Sequence, residues 1–256
     1  MVWLRKLLPQ IHKTLEYFDK YDYPLTKEEL EYWSGAKVQR LPKRPKLEKI
    51  RKQREKYSLL KWGIAYTQAT RLARLPFIAA IFVTGSLAMN NCKKSDDIDL
   101  MVITYPDTLW IVRLVYNLLF INDRRFPGAK SAPDKICTNL WLDTNNLVLH
   151  THSIYFAHEI LQAKCIFDRG GVQYQFLKKN AWVKDYLPNA HKIQITKVKH
   201  QMKFKNQNSK FDLSFVICHL FIPLNIIFFI VQWAYMKPKM TTERVGPGFA
   251  FFHPRK

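Results

Sequence analysis

The sequence predicts an α+β fold: a small mixed β-sheet core flanked by helical N- and C-terminal regions. Three observations predict it. Residues 79–84 form an apolar run that stops at Gly85-Ser86. A second strand-like run opens with Asp97-Ile98-Asp99. A third run, 136–143, alternates, with Ile136, Leu140 and Leu142 on one face and Asn139, Trp141 and Asp143 on the other. The 256 residues are 48% hydrophobic, enough for one large domain or two.

The elements follow in order. Residues 8–18 have the period of an amphipathic helix, and 19–24 read as a turn. Thr26-Lys27-Glu28-Glu29 is a capping box that opens a second helix through Trp33, and Gly35 ends it. Residues 37–61 are strongly basic. Pro45 is placed to start a helix there that runs to about Leu75, before Pro76. This helix reads either as a solvated linker or as a surface that lies along phosphates. The two strands around Gly85-Ser86 and Asp97-Ile98-Asp99 come next. A helix follows over 109–120, then a loop carrying Arg124, Arg125, Lys130 and Lys135, which reads as solvated or, as the alternative, as meeting triphosphate or an acidic acceptor, then the strand 136–143. Residues 155–177 read as helical with an apolar stripe, and Asp168-Arg169-Gly170-Gly171 within them reads as a turn. His158 and Glu159 do not form H-E-x-x-H and read as structural.

Residues 213–236 carry no charge. At about 1.5 Å per residue that length suffices to cross a hydrocarbon core of roughly 30 Å. Pro223, Asn225 and Gln232 interrupt it, so three readings stand: a membrane span, a buried or dimer-interface helix, and a surface membrane helix. Phe249, Phe251 and Phe252 are expected to pack back on the domain.

The net charge is +21 and the pI about 9.8, which points to a polyanionic partner: nucleic acid, anionic membrane or a phosphate-rich substrate. Four widely spaced cysteines without a C-x-x-C pair argue for reduced thiols and against a zinc ribbon. Residues 1–8 are too short for a signal peptide, so a cytoplasmic protein is expected, with membrane association through 213–236 as the alternative.

The chemistry lies in two motifs. Asp97 and Asp99 are two apart, so on a strand both carboxylates point to one face and reach one metal site. Mg2+ takes such hard oxygen ligands. Gly85 lets the backbone approach a phosphate, a helix start after it would offer free N–H groups, and Ser86 adds a hydroxyl. No G-x-x-x-x-G-K-[ST] loop is present.

Together these motifs resemble the nucleotidyltransferase superfamily, the fold of DNA polymerase beta and the kanamycin nucleotidyltransferases. The run 15–26 resembles the start of winged-helix domains found ahead of some members. The resemblance implies three regions: a winged-helix-like segment with its basic linker helix (1–62), a nucleotidyltransferase core (63–150) and a helical C-terminal region (151–256). It implies transfer of a nucleoside monophosphate from a nucleoside triphosphate to a hydroxyl, with Mg2+ or Mn2+ on Asp97 and Asp99 and the triphosphate on Gly85 and Ser86. The family's third acid, on a later neighbouring strand, falls on Asp143; Asn139 is more central but uncharged, and Asp134 lies just before the strand. Without a third acid, the resemblance implies a regulatory or antitoxin-like module that binds nucleotide or, through its basic N-terminal region, nucleic acid. A homodimer is compatible with either reading.

Overall fold

The computed structural model describes residues 2–41, 44–126, 128–129, 131–205 and 218–252. Three helices come first: α1 (Val2–Asp19), α2 (Lys27–Ser34) and α3 (Pro45–Leu72). The Thr26 hydroxyl accepts the Glu29 N–H at 3.2 Å, and the Thr26 N–H donates to Glu29 Oε2 at 2.8 Å. Gly35 closes α2 with a left-handed φ of 70°. Among the described residues between α2 and α3 there is no strand, and α1 and α2 feed Phe18, Leu30 and Trp33 into the same core as the sheet.

The sheet has the strands β1 (Ile78–Val83), β2 (Ile98–Thr104), β3 (Ile136–Asp143), β4 (Lys164–Asp168), β5 (Arg244–Gly246) and β6 (Phe249–Phe251), in the order β4-β1-β2-β3-β6-β5. It is mixed: β2 and β3 run parallel, and the other neighbours are antiparallel. Helices cover both faces. The short α4 (Gly85–Ala88) follows β1, α5 (Leu109–Leu119) links β2 to β3, and α6 (Ile154–Gln162), α7 (Val172–Lys179), α8 (Pro188–Lys205) and α9 (Ile222–Met236) complete the set. On one face Phe82, Met101 and Leu142 pack with Phe18, Trp33 and Phe176. On the other, Ile81, Leu100 and Trp141 pack with Ala65, Leu72 and Trp110. This double cover explains why β1 is buried along its whole length and reads as a continuous apolar run rather than an alternating one.

Two elements depart from the sequence expectation. The helical reading of 155–177 holds on both sides of a strand, with α6 and α7 separated by β4. Cys165, Ile166 and Phe167 leave α6 to pair with the free edge of β1, where β-branched and aromatic residues fit the pleat. The aromatic tail does pack back, as a hairpin, with Ala250 opposite Trp141. The strand β3 carries a bulge: Leu100 pairs with Thr138 but Met101 with Leu140, leaving Asn139 extra. That bulge reverses the alternation, so Ile136 and Trp141 share one face while Leu140 and Leu142 take the other.

Among the described residues no helix is long and apolar enough to cross a membrane. The helix α9 has 15 residues, about 22 Å, and the rest of the uncharged run before Cys218 lies outside the described residues. It packs on α5 through its polar side: Asn225 Oδ1 accepts the Trp110 N–H at 2.8 Å, and Gln232 Nε2 donates to the Trp110 carbonyl at 2.8 Å.

Candidate functional site

The end of β1 sets the geometry. The Thr84 N–H donates to the Asp99 carbonyl at 3.0 Å, the last rung joining β1 to β2. Gly85 then turns with φ 62°, a conformation that L side chains rarely adopt, and a Cβ on it would lie 2.5 Å from Asp99 Oδ2. Only glycine lets this turn lie against the carboxylate. The Gly85 N–H is not idle: it donates to the carboxylate of Glu159, which descends from α6. Ser86 Oγ faces Asp96 Oδ2 at 3.2 Å and Cys92 Sγ at 3.3 Å, inside the connecting loop.

Asp97 and Asp99 point to the same face of β2. Arg125 Nη1 donates to Asp97 Oδ2 at 2.8 Å, and Asn139 Nδ2 donates to Asp99 Oδ1 at 2.8 Å. Parallel pairing puts Cys137 directly opposite Asp99. One ligand atom from each of Asp97, Asp99 and Cys137 lies within 4.8 Å of the others, so the three can hold a metal ion. Desolvation, then the charges of Asp97 and Glu159, push the Asp99 carboxyl well above the usual carboxylate range. Desolvation pushes Glu159 up to about 7, against the hydrogen bond from Gly85. The Cys137 thiol is raised too, by desolvation and then by Asp99 and Asp97. Crowded acids with raised pKa values are groups that want a cation, and Arg125 answers only Asp97 through a direct bond. Desolvation, then the nearby Glu159, Tyr21 and Asp99, raise the Tyr155 hydroxyl, and Tyr155 and Tyr21 both keep exposed surface.

The helix α3 braces the loop in front of the acids. Lys61, only 2% exposed, donates to the Asp96 carbonyl at 2.6 Å and to Asp134 Oδ1 at 2.7 Å. Arg54 binds the Tyr21 carbonyl at 2.9 Å, Asn91 Oδ1 at 3.0 Å and Asp22 Oδ2 at 3.0 Å. Ser58 Oγ accepts the Cys92 N–H at 3.1 Å. Much of the basic helix therefore serves the fold.

Of the residues singled out from the sequence, Asp97, Asp99 and Gly85 come together, with Ser86 beside them and turned toward Asp96. Asp143 does not join them. It pairs with Thr104, five residues along β2 from Asp99, or about 16 Å. The bulge at Asn139 also places it on the opposite face, and its Oδ1 accepts the N–H groups of Asn145 and Asn146 at 3.0 Å each. The expected third acid is thus corrected: Asp143 is a turn cap, and the positions beside Asp99 on β3 are Cys137 and Asn139. Asp134 is the partner of Lys61. The sequence reading took Glu159 as structural, and had Arg125 only as one of four loop charges, without its pairing to Asp97. Glu159 is the one charged residue of α6, in an otherwise uncharged run, and that isolation was the available signal.

Fold and site together define an α+β protein with a candidate divalent-metal site where β1 and β2 meet. No protein-family model matches the chain, and no curated protein matches it. A solved structure described as the crystal structure of a toxin-antitoxin with AMP-PNP is similar to part of it, at 13% identity and a TM-score of 0.26, covering 55% of this chain and 96% of that one. A likeness that slight carries no argument about fold or activity here.

Proposed function

We propose that this protein is a metal-dependent nucleotidyltransferase, moving a nucleoside monophosphate from a nucleoside triphosphate to a hydroxyl acceptor. One observation carries the reading: Asp97 and Asp99 share a strand face directly against a glycine turn in which no side chain fits. Asp97 and Asp99 would hold Mg2+ or Mn2+, which when bound supplies charge stabilisation to the oxygens of an in-line displacement. Gly85 and Ser86 would receive the phosphates, the Gly85 N–H exchanging Glu159 for a phosphate oxygen. Arg125, which pairs with Asp97, would be the side chain within reach to bind the triphosphate. Glu159 takes the place given to Asp143 as third acid. With its pKa near 7 it is matched to accept the proton of the acceptor hydroxyl. Tyr21 and Tyr155 offer ring faces to a base.

The test is label transfer. The protein is incubated with Mg2+ or Mn2+, each α-labelled nucleoside triphosphate and a cell lysate, beside a double Asp97→Ala, Asp99→Ala variant. Label on an acceptor that requires both aspartates is the expected result.

A second reading rests on Cys137 and Asn139, which stand where a carboxylate on β3 would complete the family's set. Under it the site binds metal and nucleotide without turnover and serves regulation. Nucleotide binding that needs both aspartates, with no transfer to any acceptor, would decide for it.

A further inference from the structure

The helix α9 packs by one face and leaves another apolar face bare. Its inner face carries Asn225 and Gln232 beside Phe228, Phe229 and Met236, which pack on the core; Phe229 lies 5.1 Å from the Trp110 ring, and Arg113 Nη1 donates to Gln232 Oε1 at 2.6 Å. Its outer face is apolar as well: Ile227 and Ile230 are each 54% exposed and Val231 60%. A helix that only needed to pack on α5 would carry polar residues at these outer positions. The end of this face is cationic and aromatic. Lys237 Nζ lies 4.5 Å from the centre of the Trp233 ring and Lys239 Nζ 4.0 Å from that of Tyr235. The Tyr235 hydroxyl feels both Lys239 and Arg124, and Arg124 in turn lies over the exposed ring of Phe126.

We infer that the outer face of α9 docks on the surface of an anionic lipid bilayer, lying in the interface rather than crossing it. The chemistry selects this occupant. An apolar stripe ending in Trp, Tyr and Lys matches the boundary between acyl chains and headgroups. The cationic rim and the net charge of +21 favour anionic lipid. A second copy would set Lys237, Lys239 and Arg124 against their own like charges, and nucleic acid has no apolar surface to cover Ile227, Ile230 and Val231. At about 22 Å the helix is too short to span, and its polar side is already bonded to α5.

The experiment is co-sedimentation with vesicles of phosphatidylcholine alone and of phosphatidylcholine mixed with phosphatidylglycerol. Wild type is expected in the pellet with the mixed vesicles and in the supernatant with the neutral ones. The triple variant Ile227→Ser, Ile230→Ser, Val231→Ser changes only exposed side chains, and is expected to bind at least about tenfold more weakly. Lys237→Gln with Lys239→Gln is expected to weaken binding most at low salt, and Ile230→Trp to strengthen it. Absence of wild type from the mixed-vesicle pellet overturns the proposal, as does a triple variant that binds as well as wild type. So does a wild-type dimer in light scattering that the triple variant abolishes, without vesicle binding, since that assigns the face to a second copy.

Discussion

Gly85 and Asp99 are mutually dependent. Replacing Gly85 by Ala puts a methyl 2.5 Å from Asp99 Oδ2 and forces φ 62° on an L side chain. A cost of about 1–3 kcal/mol in urea unfolding is expected, with weaker Mn2+ binding by titration calorimetry as the carboxylate is pushed aside. Asp99→Asn should do the reverse for stability. It removes a desolvated charge that Asp97 and Glu159 repel, so the metal-free variant should melt higher than wild type at pH 8 while losing Mn2+ affinity; a lower melting temperature would contradict the crowding argument. Glu159 makes the stability of the fold depend on pH. Its folded value of about 7 lies above its ordinary 4.5, so the folded state binds the extra proton in between. Stability from this group is full below pH 4.5 and is lost as pH rises through 7. Wild type should therefore lose about 2 kcal/mol relative to Glu159→Gln between pH 4.5 and 8, read from paired denaturation curves, the shift being discounted for partial exposure. Asp97, Asp99 and Gly85 were legible because strand period and glycine conformation are local properties. Glu159 was not, because its place depends on how a distant helix crosses the sheet. Asp143 was misplaced by one bulged residue, which no alternation rule reveals.

At the scale of elements, α6 ties the N-terminal helices to the site. Its His158 is 1% exposed and stacks on Tyr17 at 3.8 Å between ring centres, with Phe18 and Trp33 closing the box. Burial lowers its pKa from 6.5 to about 3. The unfolded chain then binds the proton first, so stability falls as pH drops from 6.5 toward 3, by at most about 1.4 kcal/mol per pH unit. The variant His158→Leu should flatten that part of the pH–stability curve; an unchanged slope would mean that the imidazole titrates where it sits. Because the next residue is Glu159, loosening this box should also move that carboxylate away from the Gly85 N–H. The elements α2, α3, β1 and β3 were readable since a capping box, a proline start and apolar runs act within a few residues. The strands β4, β5 and β6 were not. They form by completing edges of a sheet already laid down by β1, β2 and β3, and edge pairing is a tertiary choice that local period does not record.

Across the whole molecule, the question is where a charge of +21 acts. Ion pairs and burial remove part of α3 from the answer: Arg51 pairs with Glu29 and Glu55, Arg54 with Asp22, Lys61 with Asp134 and Arg71 with Asp123. What α3 leaves to solvent is Lys46, Lys49, Lys52 and Lys56, spaced by three and four residues along one side. If this row meets nucleic acid, its contribution is bounded. Four phosphate contacts on duplex DNA give a slope of log affinity against log salt of about −3.6, at −0.9 per phosphate. Substituting the four lysines by Gln should remove most of that slope, measured by fluorescence anisotropy across a salt series, and leave Mn2+ binding untouched. Vesicle binding should be largely kept as well, since its apolar half resides in α9. A slope unchanged by the four substitutions would strike out α3 as the nucleic-acid surface. The two polyanion readings are therefore separable within one protein: lysines of α3 control the salt slope on nucleic acid, and isoleucines of α9 control the lipid surface, where salt alone does not release an inserted apolar face.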